Sequence, residues 1–203
     1  MPHSDFFARL GLFVVKDFYD AGSCASLRAE AAACEHEPVT VVDGYSFNER
    51  VKDHVRRTKE ARVSKRARSL VRARLVELRP DIERHFGLAL GGCEQPQFLV
   101  YQAGDYFRPH RDGEDAPGKP AYARRRRVSV VVFLNGETES PAPESFCGGG
   151  LTFYGLLGEP RTGQYGFDLI GEAGLLLAFR SDVMHEVREV TRGRRYTVVS
   201  WFF

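Results

Sequence analysis

The sequence predicts a mainly β fold with flanking α-helices, a sandwich or jelly-roll core braced by N-terminal helices. Three observations lead there. Short apolar stretches separated by Gly and Pro recur through the second half, near Phe98–Gln102, Val128–Leu134, Leu151–Phe153, Leu175–Phe179 and Tyr196–Phe202, a spacing that suits sandwiches and jelly rolls. The first half instead carries Ala67, Leu70, Val71, Leu75, Val76 and Leu78 at helical spacing. With 203 residues and a formal charge of +2, the chain is long enough to bury one sizeable core.

Along the chain, Gly11 to Asp17 reads as an opening strand. Ala21-Gly22-Ser23 is a helix start signal, with Ser23 as the expected N-cap of a helix through Ala33. A second helical pattern runs from Ser64, and Pro80 is expected to interrupt it, leaving Asp81 to Phe86 as a further turn or separate helix. The stretch from Gln97 is strand-like, breaks at Gly104 and Asp105, and resumes toward His110. No internal repeat or linker divides the chain, so one domain over 1–203 is expected, with 1–96 as helical support and 97–203 as the core that bears the site. The loop-rich segments Gly113–Tyr122 and Gly136–Gly148 are expected to border its mouth, where specificity resides.

Composition narrows the function classes. No apolar stretch approaches a membrane span, and Asp5 stands before the short N-terminal hydrophobic run, which argues against a signal peptide. The expected location is the cytoplasm. Cys24, Cys34, Cys93 and Cys147 show no metal-type spacing and read as reduced thiols; Cys147, beside a glycine run, is the one expected to meet oxidants. Lys52 to Arg74 is dense in basic residues, and Arg124 to Arg127 is an unbroken run. Acidic residues elsewhere nearly cancel them, so these charges read as solvated faces, and nucleic acid is not the expected partner. Within the run, Arg124, Arg125 and Arg127 read as the charged edge of a strand.

The densest chemistry lies around His110-Arg111-Asp112. In an extended segment, residues two apart project to one face about 6.5 Å from each other, so His110 and Asp112 can converge on one ion. A third ligand must come from another strand, and His185 follows the apolar run Leu175–Phe179. Two imidazoles and a carboxylate with open positions opposite suit non-haem Fe(II); three protein ligands plus water would equally make a catalytic zinc site. A chelating cosubstrate separates the two. On the last strand Arg195, Thr197, Val199 and Trp201 share a face, and a guanidinium with a hydroxyl two residues away can grip a carboxylate. Tyr101 offers a phenol from the side of the first ligand strand.

These residues fall in an ordered pattern: Tyr101, Gly104, Phe107, His110 and Asp112; Arg126, Ser129, Leu134 and Asn135; Gly149, Gly150, Leu151, Thr152 and Phe153; then Gly174, Phe179, His185, Val187, Val190, Gly193, Arg195 and Trp201. The pattern resembles the 2-oxoglutarate and Fe(II)-dependent dioxygenases of the prolyl 4-hydroxylase alpha-subunit type, over residues 97 to 203 and more weakly before them. That resemblance implies a double-stranded β-helix, a cupin-like jelly roll, as the catalytic core. It implies His110, Asp112 and His185 as iron ligands, Arg195 as the salt-bridge partner of the distal carboxylate of 2-oxoglutarate, and Tyr101 as a hydroxyl donor to it, beside the Thr197 hydroxyl that the last strand places on the same face as Arg195. Fe(II), 2-oxoglutarate and dioxygen are the implied cofactors and cosubstrates, with ascorbate as activator.

The implied reaction is hydroxylation of an unactivated C–H bond, with a prolyl residue of a peptide or protein as the favoured substrate and a free amino acid or other small molecule as the alternative. A metal- and 2-oxoglutarate-binding sensor without turnover is the rival of another class. The chain departs from the pattern where Glu189 stands at a frequent proline position, where Phe107 replaces a frequent tyrosine, and where Gly136 to Gly148 is inserted. None of these removes a ligand; they bear on substrate contacts, as does the role of Arg126 toward substrate or cosubstrate.

Overall fold

The computed structural model describes residues 3–39, 41–42, 49–50, 54–114, 119–140, 142–156 and 166–203. The chain begins with helix α1 (His3–Arg9), strand β1 (Leu12–Val15), helix α2 (Ala21–Ala33) and the short strands β2 (His36–Pro38), β3 (Val41–Val42), β4 (Glu49–Arg50), β5 (Arg56–Arg57) and β6 (Lys59–Ala61). Helix α3 (Lys65–Phe86) then leads to β7 (Gln97–Gln102), β8 (Tyr106–His110), the one-turn helix α4 (Ala121–Arg125) and β9 (Val128–Phe133). The remaining strands are β10 (Phe146–Gly148), β11 (Leu151–Tyr154), β12 (Gly166–Leu169), β13 (Leu176–Arg180), β14 (Met184–Val187) and β15 (Val190–Phe202).

Two antiparallel sheets face each other as a mainly β jelly roll. The larger follows the order β1-β13-β9-β15-β7-β6-β2, with β10 joined to the start of β15, and the smaller follows β12-β11-β14-β8-β5. Alternation along the central strands builds two cores at once. On β9, Val128, Val130 and Val132 pack toward α2 and α3, while Val131 and Phe133 pack between the sheets. The same division separates Phe98 and Val100 from Leu99 and Tyr101 on β7, and Leu176 and Ala178 from Leu177 and Phe179 on β13. A strand covered on both faces reads as a continuous apolar run, which is why these strands were legible.

The front of the chain departs from the expected helical support. It supplies the expected opening strand β1 to the larger sheet, but also β2 and β6 to the larger and β5 to the smaller, three short strands whose polar residues hide any alternation. Helix α2 starts earlier than expected: Asp20, not Ser23, is its N-cap, accepting from the Ser23 backbone N–H at 2.7 Å. A carboxylate three residues earlier accepts the Ser23 amide, so the first turn already forms ahead of Ser23.

Helix α3 is continuous through Pro80. Leu75 and Ile82, both fully buried, hold the segments on either side of the proline against one core, and the exposed ring costs one backbone bond rather than the helix. Leu70 lies outside this stripe, facing solvent. Several cations of the basic stretch are spent internally: Arg68 pairs with Glu60 at 3.1 Å, and Arg72 and Arg74 donate to the Cys93 and Phe18 carbonyls. Lys52 lies outside the described residues. Arg124 and Arg125 sit in α4, not on a strand edge, because β9 begins only at Val128. Cys147 is buried on β10 against the expectation of exposure. Among the described residues no helix is long and apolar enough to cross a membrane.

Replacing Pro80 with Ala restores an N–H to the interior of α3 and removes the ring clash, an effect that outweighs the lost rigidity of the unfolded chain. We expect Pro80→Ala to raise the unfolding free energy by about 1–2 kcal/mol, measured by urea denaturation. An unchanged or lowered midpoint would show that the helix is already bent to accommodate the proline.

Candidate active site

Two cross-strand pairs build the site. On the smaller sheet β14 runs antiparallel to β8 with His185 opposite His110; on the larger, β15 runs antiparallel to β7 with Arg195 opposite Tyr101. The sheets face each other, so both pairs project into the space between them, where a cleft of about 930 Å³ reaches from Arg195 past the histidines to the edge strand β2.

Strand β8 ends at His110, and Asp112 follows in the turn rather than within an extended run. The turn is pinned at Gly113, whose N–H donates to the Ser181 carbonyl at 2.9 Å. A Cβ there would stand 2.5 Å from the Arg126 carbonyl oxygen, so only glycine lets the chain double back and aim Asp112 at the histidines. His110, Asp112 and His185 each offer a ligand atom, all within 4.8 Å of one another. His110 Nε2 lies 3.4 Å from Asp112 Oδ1 and His185 Nε2 lies 3.6 Å from Asp112 Oδ2.

Both imidazoles are set by their backbone. His110 Nδ1 meets the Arg108 carbonyl at 2.8 Å and His185 Nδ1 meets that of Val183 at 3.0 Å. A carbonyl only accepts, so each Nδ1 carries a proton and each Nε2 faces the common centre, where it offers a lone pair when the imidazole is neutral. Phe107 stacks on His110 with ring centroids 3.4 Å apart, and Phe179 meets His185 edge-on at 4.7 Å, which fixes the rings in rotation. Burial opposes the charge on Asp112, but the adjoining imidazoles, the hydrogen bond to His110 and the nearby Trp201 indole outweigh it and hold the carboxyl well below the usual carboxylate range. Burial, aided by His110, pushes His185 down to about 4 against the pull of Asp112. At neutral pH His185 is thus a neutral base beside a carboxylate, the protonation state a divalent metal needs.

Arg195 is only 1% exposed, yet no ion pair reaches it among the described residues. Nη1 donates to Thr197 Oγ1 at 3.2 Å and Nε has no partner at all. Its stem passes over Gly149, where a Cβ would come within 3.2 Å of the arginine Cδ and 2.7 Å of Val190. Tyr101 and Phe133 flank the guanidinium, with ring centroids 5.2 and 5.0 Å from Cζ. Burial draws the Arg195 pKa down, and Tyr101 and Glu137 only partly offset it. A buried cation without a counter-ion is expensive unless a ligand supplies one, and a carboxylate entering beside the three convergent residues would do so. The donor set and this orphaned cation together fit an Fe(II) ion and a 2-oxoacid bearing a second carboxylate.

All six residues singled out from the sequence, His110, Asp112, His185, Arg195, Thr197 and Tyr101, line this one cleft. Arg126 also reaches it, but through a bidentate pair with Glu94 at 2.9 and 2.7 Å while lying 3.5 Å over the Trp201 ring. Glu94 and Arg56, which stacks on Phe107 at 4.4 Å, were not anticipated. Glu94 precedes any strand pattern, and Arg56 sits in a two-residue strand among many other basic residues, so neither carried a local signal. Of the two loop segments, residues 115–118 and 141 lie outside the described residues.

The model of the 2OG-Fe(II) oxygenase superfamily matches residues 96–203, and that of phytanoyl-CoA dioxygenase matches residues 7–143. PKHD-type hydroxylases from two Synechococcus strains, JA-2-3B'a(2-13) and JA-3-3Ab, are each 33% identical over 102 residues, 50% of this chain but 39% of the relative; the match therefore spans about two-fifths of the length of those curated relatives. Among solved structures, a Pseudomonas putida prolyl-4-hydroxylase is 25% identical with a TM-score of 0.69, covering 98% of this chain and 95% of its own. A Trichoplax adhaerens prolyl hydroxylase, solved with a peptide fragment of the hypoxia inducible factor oxygen degradation domain, shares the fold at 17% identity and a TM-score of 0.73, covering 98% of this chain and 86% of its own. The superfamily match takes in more than half of the residues, with His110, Asp112, His185 and Arg195 all inside it, and the chain belongs to the 2OG-Fe(II) oxygenase superfamily.

Proposed function

We propose that this protein is an Fe(II)- and 2-oxoglutarate-dependent hydroxylase, acting at 1–203 as one catalytic domain, with a prolyl residue in a peptide as its favoured substrate. The observation that carries the reading is the buried, unpaired Arg195 guanidinium standing in the same cleft as two histidines and a carboxylate whose ligand atoms converge within 4.8 Å. Zinc hydrolysis would need the three ligands but not the buried cation.

In this reading His110 Nε2, Asp112 and His185 Nε2 hold the metal, and the carbonyls of Arg108 and Val183 keep the imidazoles in the required tautomer. Arg195 takes the distal carboxylate of 2-oxoglutarate, with the hydroxyls of Thr197 and Tyr101 as further donors. Iron bound there would supply the dioxygen chemistry that couples oxidative decarboxylation of 2-oxoglutarate to hydroxylation of a C–H bond. Phe153 and Phe179 pack against His185 and keep bulk water from that side, so the open approach is the cleft itself. The length of the cleft, out to the edge strand β2, supports a polypeptide over a small enclosed substrate, as does the likeness to the Pseudomonas enzyme. Ascorbate as activator and a cytoplasmic setting belong to the same proposal. A free amino acid substrate, or a sensor that binds both ligands without turnover, are the readings it competes with.

Release of carbon dioxide from labelled 2-oxoglutarate by the Fe(II) protein tests the reading. His110→Ala, Asp112→Ala and His185→Ala are each expected to abolish both iron uptake and this turnover, and full turnover in any of them would sink the ligand assignment. Arg195→Ala leaves a buried carboxylate without its charged partner, so the 2-oxoglutarate concentration for half-maximal turnover should rise roughly tenfold to a hundredfold; an unchanged requirement would dismiss that role. The histidine also carries a pH signature. The unfolded chain takes up the His185 proton near the ordinary 6.5 and the folded chain only near 4, so the metal-free protein holds this stability above about pH 6.5 and loses it as the pH falls toward 4. The melting temperature of the metal-free protein should decline across that window, and His185→Gln should flatten the decline.

A further inference from the structure

The cations lining the cleft are almost all engaged. Arg62 is paired with Glu37, Lys119 and Arg111 share Glu114 at 2.8 and 3.4 Å, and Arg126 is clamped to Glu94. Arg195 lies deep and is assigned above to the cosubstrate. Arg56 is left. Its Nε is buried without a hydrogen-bond partner, and no ion pair reaches its guanidinium among the described residues. It stands on the cleft wall directly across from Phe107 in the β5–β8 register. The guanidinium lies 4.4 Å over the Phe107 ring, and that ring stacks at 3.4 Å on His110. Arg56 is therefore held rigidly, two stacked groups away from the metal position, on the side from which a substrate enters.

We propose that Arg56 anchors a carboxylate carried by the prime substrate, so that the molecule oxidised is acidic close to its reacting carbon. Stacking leaves the edge of the guanidinium free to form a fork of N–H donors, a geometry that matches a carboxylate rather than a lone carbonyl. The pairing of every other outer cation means that an incoming acid is attracted to this one point instead of being spread over the rim. Stacking on Phe107 also removes the side-chain entropy that a free arginine would lose on binding. The carboxylate has two sources, the terminus of a free amino acid or a glutamate or aspartate beside the target residue in a peptide.

The inference rests on the oxygenase reading, and the test separates them. Trp201 is the only tryptophan and lines the cleft, so its fluorescence in the anaerobic protein loaded with Fe(II) and 2-oxoglutarate reports substrate binding without turnover. Two matched pairs serve as probes: N-acetylproline against its amide, and a blocked Ala-Pro-Glu peptide against Ala-Pro-Gln. In wild type the acid of at least one pair should bind roughly tenfold more tightly than its neutral partner. A gap in the first pair assigns the anchor to a free terminus, and one in the second to an acidic side chain. Arg56→Met should close the gap and Arg56→Lys should keep part of it, with far-UV circular dichroism checking that each variant is folded. Equal binding within both pairs, binding of none, or a gap that survives in Arg56→Met overturns the proposal. Absence of carbon dioxide release by the same wild-type protein in air would dismiss the oxygenase reading while leaving the binding result to be judged by itself.

Discussion

Everything in the site hangs on the register of β15 between its neighbours. This strand pairs with β7 on one side and β9 on the other, and its side chains alternate between two different environments. Tyr196, Val198 and Phe202 enter the core beneath the helices, whereas Arg195 and Thr197 enter the cleft. Because side chains alternate with period two, a slip of one residue would exchange the faces, driving a guanidinium into the helix-side core and aromatic rings into the cleft. The apolar set on the helix side thus pins the polar set on the other. Burying an unpaired arginine is tolerated here because the register that imposes it also buries a long run of aliphatic and aromatic surface.

The smaller sheet imposes a comparable constraint by simpler means. Pairing of β14 with β8 sets the two histidines opposite each other, and the tautomer of each is then dictated by a carbonyl two residues earlier in its own chain. No additional acidic residue is needed to orient them, so Asp112 carries the only carboxylate among the three convergent groups. One negative charge between two imidazoles leaves the centre short of anionic ligands, which favours binding a divalent ion together with an anionic chelator over holding the ion by protein alone. The geometry of the backbone and the charge of the pocket point to the same kind of guest.

Legibility in the sequence followed burial. Strands β7, β9, β13 and the later part of β15 are covered on both faces, so their apolar runs stand out without any partner information. The short strands β2, β5 and β6 are polar, join sheet edges, and exist because of what they pair with, which no local pattern records. The same contrast holds within the site. His110, Asp112, His185 and Arg195 were recognisable because their residue types are unusual together at ordered spacing. Arg56 was hidden in a basic stretch, since what distinguishes it is the lack of a partner, and that is a property of the folded neighbourhood. Pro80 shows the opposite error: a strong local signal for a break was overridden by Leu75 and Ile82 on either side, both anchored in one core.

Two cations that meet no counter-ion among the described residues therefore divide the cleft by depth. Arg195 lies at the closed end, where burial depresses its pKa and only a small, doubly anionic molecule could approach both it and the convergent ligands. Arg56 lies toward the open end, stacked and partly solvated, where electrostatic attraction is weaker but a larger molecule can reach it. The inner charge favours a ligand common to the superfamily; the outer one can vary without disturbing it, because Phe107 and His110 separate it from the metal position. Recognition of a second guest can then change at the rim while the inner constellation of His110, Asp112, His185 and Arg195 stays fixed by the strand register.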